Sequence, residues 1–191
     1  MGAKCLTKSE RRQEIKKILD ENPFFTDEEL AQLYKVSVQT IRLDRAALDI
    51  PEVRERIKLL AEHSYGEVKS ITGLEIIGDL IELKLNESAI SLLTVSEEMV
   101  LSKAKVIRGH LLFAQANSLA VAMIDSPLAL TGSANVKYIA PVSLDERVIC
   151  RAKVMKKRGE KFLIKIVSTV NNSEVFRGNF LVFAKGKEEV L

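Results

Sequence analysis

Arg108 has the most chemistry to account for. It stands at the entrance of a run, Gly109 to Ile124, that is apolar on nearly every face, with Gln115 and Asn117 set inside it. A helix of that composition must be buried on all sides. The run is too short to cross a bilayer, which takes about 20 apolar residues. A buried amide needs a hydrogen-bond partner, so Gln115 and Asn117 either tie the helix to a surrounding sheet or meet a bound molecule. A guanidinium pairs best with a carboxylate, often through two parallel bonds. A cation is also poorly matched to a helix N-terminus. The position of Arg108 therefore calls for an anionic partner, either a ligand carboxylate or an acid such as Glu98 or Asp125.

A second group of polar side chains lies near the N-terminus. Lys35-Val36-Ser37 reads as a short turn, and Ser37 is placed to cap a helix that follows it. In that helix Ile41 and Leu48 face inward, leaving Val38, Gln39, Arg42 and Arg45 on the outer side. Gln39 and Arg42 carry the donors and acceptors that read base edges in the major groove. Ser37, Thr40 and the helix N-terminus suit phosphate oxygens.

No catalytic constellation assembles. There is no acid between Gly109 and Ile124, and the histidines are His63 and His110 alone. Asp125 is 15 positions beyond His110, which is about 22 Å along a helix. Cys5 and Cys150 make neither a metal-ligand spacing nor a disulfide framework. The chain is expected to be no enzyme and to hold no metal or cofactor.

The elements that position these residues follow from periodicity. Ser9 to Asn22 has Ile15, Ile18 and Leu19 on one face and ends at Asn22-Pro23, an amphipathic helix with its stop. Thr26-Asp27-Glu28-Glu29 is a capping box that opens a second helix. This helix, the tight turn and the Ser37-capped helix make a helix-turn-helix over residues 1–48. A connecting helix over 49–66 has Pro51 in its first turn and an apolar stripe of Val53, Ile57, Leu60 and Ala61. Arg54, Arg56 and Lys58 lie on its other faces, and Arg54, nearest the helical head, is the one expected to reach the minor groove. From there the period changes. Glu75 to Leu85 and Ala89 to Val95 read as strands before the central helix. Leu128 to Ala140, Val148 to Val154, Lys161 to Val170 and Val175 to Ala184 read as strands after it. The layout is α+β, an antiparallel sheet around one helix over residues 67–191.

Composition sets the partners' limits. The 191 residues carry a net charge of +3, and residues 1–64 hold twelve Lys/Arg and twelve Asp/Glu, a balance of zero. DNA affinity from counterion release is therefore modest, and binding rests on placement and dimerisation. Nothing at the N-terminus resembles a signal peptide, and a reducing cytoplasm fits the two cysteines. No membrane association is expected.

The run Glu29-Leu30-Ala31 … Val36-Ser37-Val38-Gln39-Thr40-Ile41-Arg42-Leu43-Asp44 resembles the motif of DeoR-like bacterial repressors. Ala134 to Val142 with Arg147 to Ala152 resembles the hot-dog fold of acyl-CoA thioesterases and dehydratases. The two together resemble the FapR family of bacterial repressors over nearly the whole chain, most strongly at Thr40 to Arg45, Ile50 to Arg54 and Arg108 to Val121. The resemblance implies a homodimeric repressor of fatty-acid and phospholipid synthesis genes, the alternative being a hot-dog acyl-CoA thioesterase with a regulatory DNA-binding head. It implies an operator that is an inverted repeat, and malonyl-CoA, or malonyl-acyl carrier protein, as effector. On the matching positions Arg108 would hold the malonyl carboxylate, while Gly109 and Asn117 would line the thioester end of the tunnel. Leu101 and Phe113 would complete the effector site. Leu101 and Ile107, both near the acyl end, stand where the family tends to have Phe and Ala.

Overall fold

The computed structural model describes residues 7–185, the side chains of residues 60–65 and 74 excepted. Cys5 and the side chains of Leu60, Ala61 and His63 lie outside the described residues. The chain divides into two compact units, one up to Leu59 and one from Leu60; the boundary falls inside a helix.

The first unit is helical. Helix α1 (Lys8–Glu21) ends at Asn22, whose extended backbone and following proline stop it. Helix α2 (Asp27–Tyr34) opens on the expected capping box: Thr26 Oγ1 accepts the Glu29 N–H at 3.1 Å, and Glu29 Oε2 accepts the Thr26 N–H at 2.7 Å. Lys35 turns the chain in the left-handed region at φ 54°. Helix α3 (Val38–Ala46) begins after Ser37, whose hydroxyl accepts the Thr40 N–H at 3.2 Å. Ile15, Leu19, Leu30, Ala31 and Ile41 form the core between these three helices. Helix α4 (Val53–Tyr65) starts two residues beyond Pro51, later than the first-turn proline suggests.

The second unit is a six-stranded antiparallel sheet with one helix laid along it. The strands are β1 (Asp79–Lys84), β2 (Ser88–Thr94), β3 (Leu128–Tyr138), β4 (Arg147–Arg158), β5 (Lys161–Val170) and β6 (Ser173–Lys185), in the spatial order β1-β2-β4-β5-β6-β3. Helix α5 (Gly109–Ala122) packs on the inner face. Each strand after the helix lies where its alternation places it, within a few residues. The first strand does not: Gly73–Glu75 is a single 3₁₀ turn, and β1 begins at Asp79. Gly78 is the reason. It takes φ +84°, and a Cβ there would stand 2.4 Å from the Leu92 carbonyl oxygen, so the chain bends against β2 before it can pair.

The central helix is not buried all round. Leu112, Gln115, Ala116 and residues Ser118 to Ala122 are buried, but His110 is exposed and Leu111, Phe113, Ala114 and Asn117 are half-buried. One flank of its N-terminal half is open. Strand β3 forms the edge of the sheet, and Ser133, Ala134, Asn135, Lys137 and Tyr138 along it are exposed.

Candidate functional site

In the helical unit, α3 offers one face to solvent. Gln39, Arg42, Leu43 and Ala46 are exposed on it, and Ser37 stands exposed at its N-terminus with Thr40 half-buried beside it. Arg42 is 56% exposed, with its Nε 3.6 Å from Asp27. Arg54 is exposed on α4. Two positions expected on the outer side are not there. Val38 is half-buried against the head core. Arg45 is folded inward, its side chain 11% exposed. Its Nε and Nη2 donate to the two carboxylate oxygens of Asp27 at 2.9 and 3.0 Å, and its Nη1 donates to the Ile50 carbonyl at 2.8 Å. The cause is a partner 18 positions away that a helical projection cannot display. Arg45 closes the head, and the Asp27 hydrogen bond raises its already high pKa.

Arg56, expected on a solvated face, is another correction. It is buried, and its guanidinium donates to the carbonyls of Pro23, Pro51 and Phe25 at 3.1, 2.6 and 2.6 Å. That clamp fixes α4 to the loop between α1 and α2. Asp44, next to Arg45, is also buried: Arg11 and Arg12 reach it with Nε–O distances of 2.7 and 2.8 Å. Burial pushes the Asp44 pKa up, but hydrogen bonds and charge from Arg12 and Arg11 outweigh it and hold the carboxyl below its usual value. The three ion-paired arginines and Asp44 lock the rotation of α3, so its outward face is fixed by what lies behind it.

In the sheet unit, Arg108 caps α5. It lies between Ile107 and Gly109, both of which line a hollow of ≈ 260 Å³ with Val106, Leu112, Tyr138 and Ile139. Its guanidinium meets no acid within the described residues. Nη2 donates to the Glu98 carbonyl, and Nε donates to the Met99 carbonyl at 3.4 Å. Asp125 pairs with Lys69 instead, at 2.7 Å. Gly109 allows the Tyr138 ring to lie close: a Cβ there would be 3.1 Å from Cε1.

The two amides of α5 divide the roles open to them. Gln115 is fully buried, and its Nε2 donates to Ser91 Oγ at 3.2 Å and to the Val148 carbonyl at 3.3 Å, tying the helix to β2 and β4. Asn117 accepts a 2.7 Å bond from Thr131 Oγ1 and lines a second hollow, ≈ 400 Å³, with Ser118, Glu75 and Ala129 to Thr131. Gly109 and Asn117 thus open into different hollows, and eight residues of helix put them about 12 Å apart. Leu101 is 51% exposed on the loop before α5 and lines neither hollow. Phe113 packs its ring 5.7 Å from that of Phe180, in the core. Ile107, expected near the acyl end, does line the first hollow; Tyr138 and Ile139 also line it and were not singled out for a site, because their apolar character alone gives no signal of one.

Neither hollow is equipped for catalysis. Glu75 is the acid on the lining of either, and its Oε2 is held by the Thr72 N–H and hydroxyl, bonds that lower its pKa. Such a carboxylate is a poor proton acceptor. Burial pushes the Cys150 thiol up to about 12, so it is no nucleophile.

A helix-turn-helix followed by a hot-dog domain defines the class: a DNA-binding transcription regulator. Residues 11–58 match the DeoR-like helix-turn-helix domain. The chain belongs to the FapR family of transcription factors. It is 47% identical over 179 residues to Transcription factor FapR of Caldanaerobacter subterraneus subsp. tengcongensis, covering 94% of this chain and 90% of that protein. It is 49% identical over 183 residues to that of Exiguobacterium sp., covering 95% and 97%. With the Staphylococcus haemolyticus protein it is 46% identical over 184 residues, covering 96% and 99%. These relatives are named as transcription factors, and the chain is one rather than an enzyme. The sheet unit has the fold of a sigma28-regulated virulence protein from Campylobacter jejuni (TM-score 0.61, 23% identity, 65% of this chain and 89% of that one). It is also similar to a hypothetical thioesterase from Streptococcus pneumoniae crystallised with coenzyme A (TM-score 0.52, 11% identity, 69% and 96%). Among the described residues, no helix is long and apolar enough to cross a membrane.

Proposed function

We propose that this transcription factor is a homodimeric repressor of fatty-acid and phospholipid synthesis genes that leaves an inverted-repeat operator when a malonyl thioester, malonyl-CoA or malonyl-acyl carrier protein, binds the hot-dog domain. The observation that carries the reading is Arg108. A guanidinium has five N–H donors, and the Glu98 and Met99 carbonyls engage two of them, leaving three for a carboxylate. The residues on either side of it line an apolar hollow. A malonyl group brings a carboxylate to such a place; an acetyl group brings a methyl and leaves the cation unpaired beside an apolar wall, which selects by penalty as much as by attraction.

The homodimer is supported by β3. An exposed edge strand offers unpaired backbone groups to another strand. The Gly109 hollow lies at its Tyr138 end and the Asn117 hollow at its Ala129 end. A second copy laid antiparallel about the middle of β3, near Ser133, would set one copy's Gly109 hollow beside the other's Asn117 hollow. The first alone is below the usual ligand-site range of about 300–1,000 Å³. In the head, Ser37 and Thr40 would meet phosphates, Gln39 and Arg42 base edges, and Arg54 the minor groove, with no part for Arg45. By linkage, operator DNA must weaken the effector by the factor with which the effector weakens DNA.

Calorimetric titration of malonyl-CoA, with acetyl-CoA as control, into wild type and Arg108→Ala tests the effector. Binding of malonyl-CoA alone, weakened about 30-fold or more in the variant, is expected when the half-buried guanidinium that would pair the ligand carboxylate is removed. Equal binding of both thioesters would remove the role given to Arg108. Binding of neither would leave the hot-dog domain a dimerisation module.

A further inference from the structure

The outward face of α3 contains a residue that a polar account of DNA recognition omits. Leu43 is 61% exposed. A single exposed leucine on a protein surface is ordinary; this one is set apart by its surroundings. It lies one turn beyond Gln39 on the same row of the helix, where side chains four apart are neighbours, and Arg42 and Ala46 complete the face. Nor is it free to turn inward. Asp44 is anchored to α1 through Arg11 and Arg12, and Arg45 to the first turn of α2 through Asp27. Those ion pairs, on the two residues that follow Leu43, fix the helix with Leu43 pointing out.

Among groups displayed in the major groove, the thymine C5-methyl is the apolar one. We infer that Leu43 is a specificity-determining residue that packs its isobutyl group on a thymine methyl, next to the base read by Gln39. The inference rests on α3 being the recognition helix of a DNA-binding head. Arg42 and Gln39 then supply hydrogen-bond readout, and Leu43 supplies discrimination against cytosine and uracil, which lack the methyl. Losing one buried methyl contact weakens binding about fourfold per half-site, hence about fifteenfold over two.

The test begins by selecting tight-binding duplexes from a random pool with the wild-type chain. Each thymine of the selected site is then replaced by deoxyuridine, which removes the methyl and nothing else. One thymine per half-site is expected to lose about fourfold on that replacement with wild type. Leu43→Ala, which truncates both copies, is expected to lose about fifteenfold on the thymine duplex and nothing further on a duplex with deoxyuridine at that position in both half-sites. Leu43 is 61% exposed, so its truncation is expected to keep the fold, which unchanged circular dichroism checks. Losses that add, or a Leu43→Ala protein with the full thymine preference, would overturn the inference while leaving the recognition helix intact. A wild-type chain that enriches no sequence would overturn the recognition-helix reading itself.

Discussion

Arg42 and Arg45 are three residues apart and of one type, yet they do different work. Arg45 bonds Asp27 through two nitrogens and the Ile50 carbonyl through the third; Arg42 is more than half exposed. Arg45→Ala should therefore destabilise the head by about 2 kcal/mol, since it leaves a largely buried carboxylate with only the more distant, exposed Arg42, and a urea titration followed by circular dichroism reads that. Arg42→Ala should leave the urea midpoint within experimental scatter and lower operator affinity. A reversal of these two results would contradict the assignment. Asp44 gives the head a pH dependence of defined sign. Its pKa is depressed in the folded state, so its stabilisation is present above the unfolded carboxyl value and is lost as pH falls through the folded one. The thermal midpoint of the head should drop on acidification below about pH 4, and Asp44→Asn should flatten that part of the profile from a lower starting midpoint. The sequence put Arg45 and Arg56 on outward faces, and both are turned inward; of the three, only Arg42 lies where it was expected. The sequence could not display their partners, because Asp27, Pro23 and Phe25 reach them only through the tertiary fold.

At the scale of elements, local chemistry was legible and long-range contact was not. The Asn22-Pro23 stop, the Thr26–Glu29 box and the Ser37 cap each act within four residues, and α1 ends and α2 and α3 begin where those signals lie. Alternation located the strands after the central helix for the same reason: burial repeats every second residue along β5, the first half of β4 and the middle of β6, while β3 at the edge is exposed over most of its length. The start of β1 was misplaced because Gly78 bends against the Leu92 carbonyl on another strand. The full burial expected of α5 failed too. Composition tells that a helix is apolar, not whether its sheet covers every flank, and the flank toward β3 is left open. Gly109 sits on that flank, where an added methyl would meet the half-exposed Tyr138 ring at 3.1 Å. A Gly109→Ala protein should keep its melting temperature within about 2 °C, because the ring is able to give way. It should bind malonyl-CoA about tenfold more weakly, a loss of about 1.4 kcal/mol, as the methyl fills the hollow; unchanged affinity in calorimetry would place the effector elsewhere.

As a whole, the proposed repressor joins a helical head that reads DNA to a hot-dog domain that binds an anionic thioester, and it works as two copies. Ala134 is exposed near the middle of the free edge strand. An Ala134→Asp substitution would set two carboxylates close together across the twofold axis, and like charges directly opposite in a sheet are destabilising. Sedimentation should then show a monomer where wild type shows a dimer, and operator affinity should fall with it, because each half-site is left to a single head. A fully dimeric Ala134→Asp protein would mean that β3 is not the interface. The most direct measurement of the central claim is fluorescence anisotropy of a labelled operator duplex, already bound by the wild-type chain, as malonyl-CoA is added beside a parallel titration with acetyl-CoA. Malonyl-CoA should release the operator, acetyl-CoA should have little effect, and Arg108→Ala should stay on the operator through both titrations. An operator that malonyl-CoA leaves fully bound, or that both thioesters release equally, would contradict the claim.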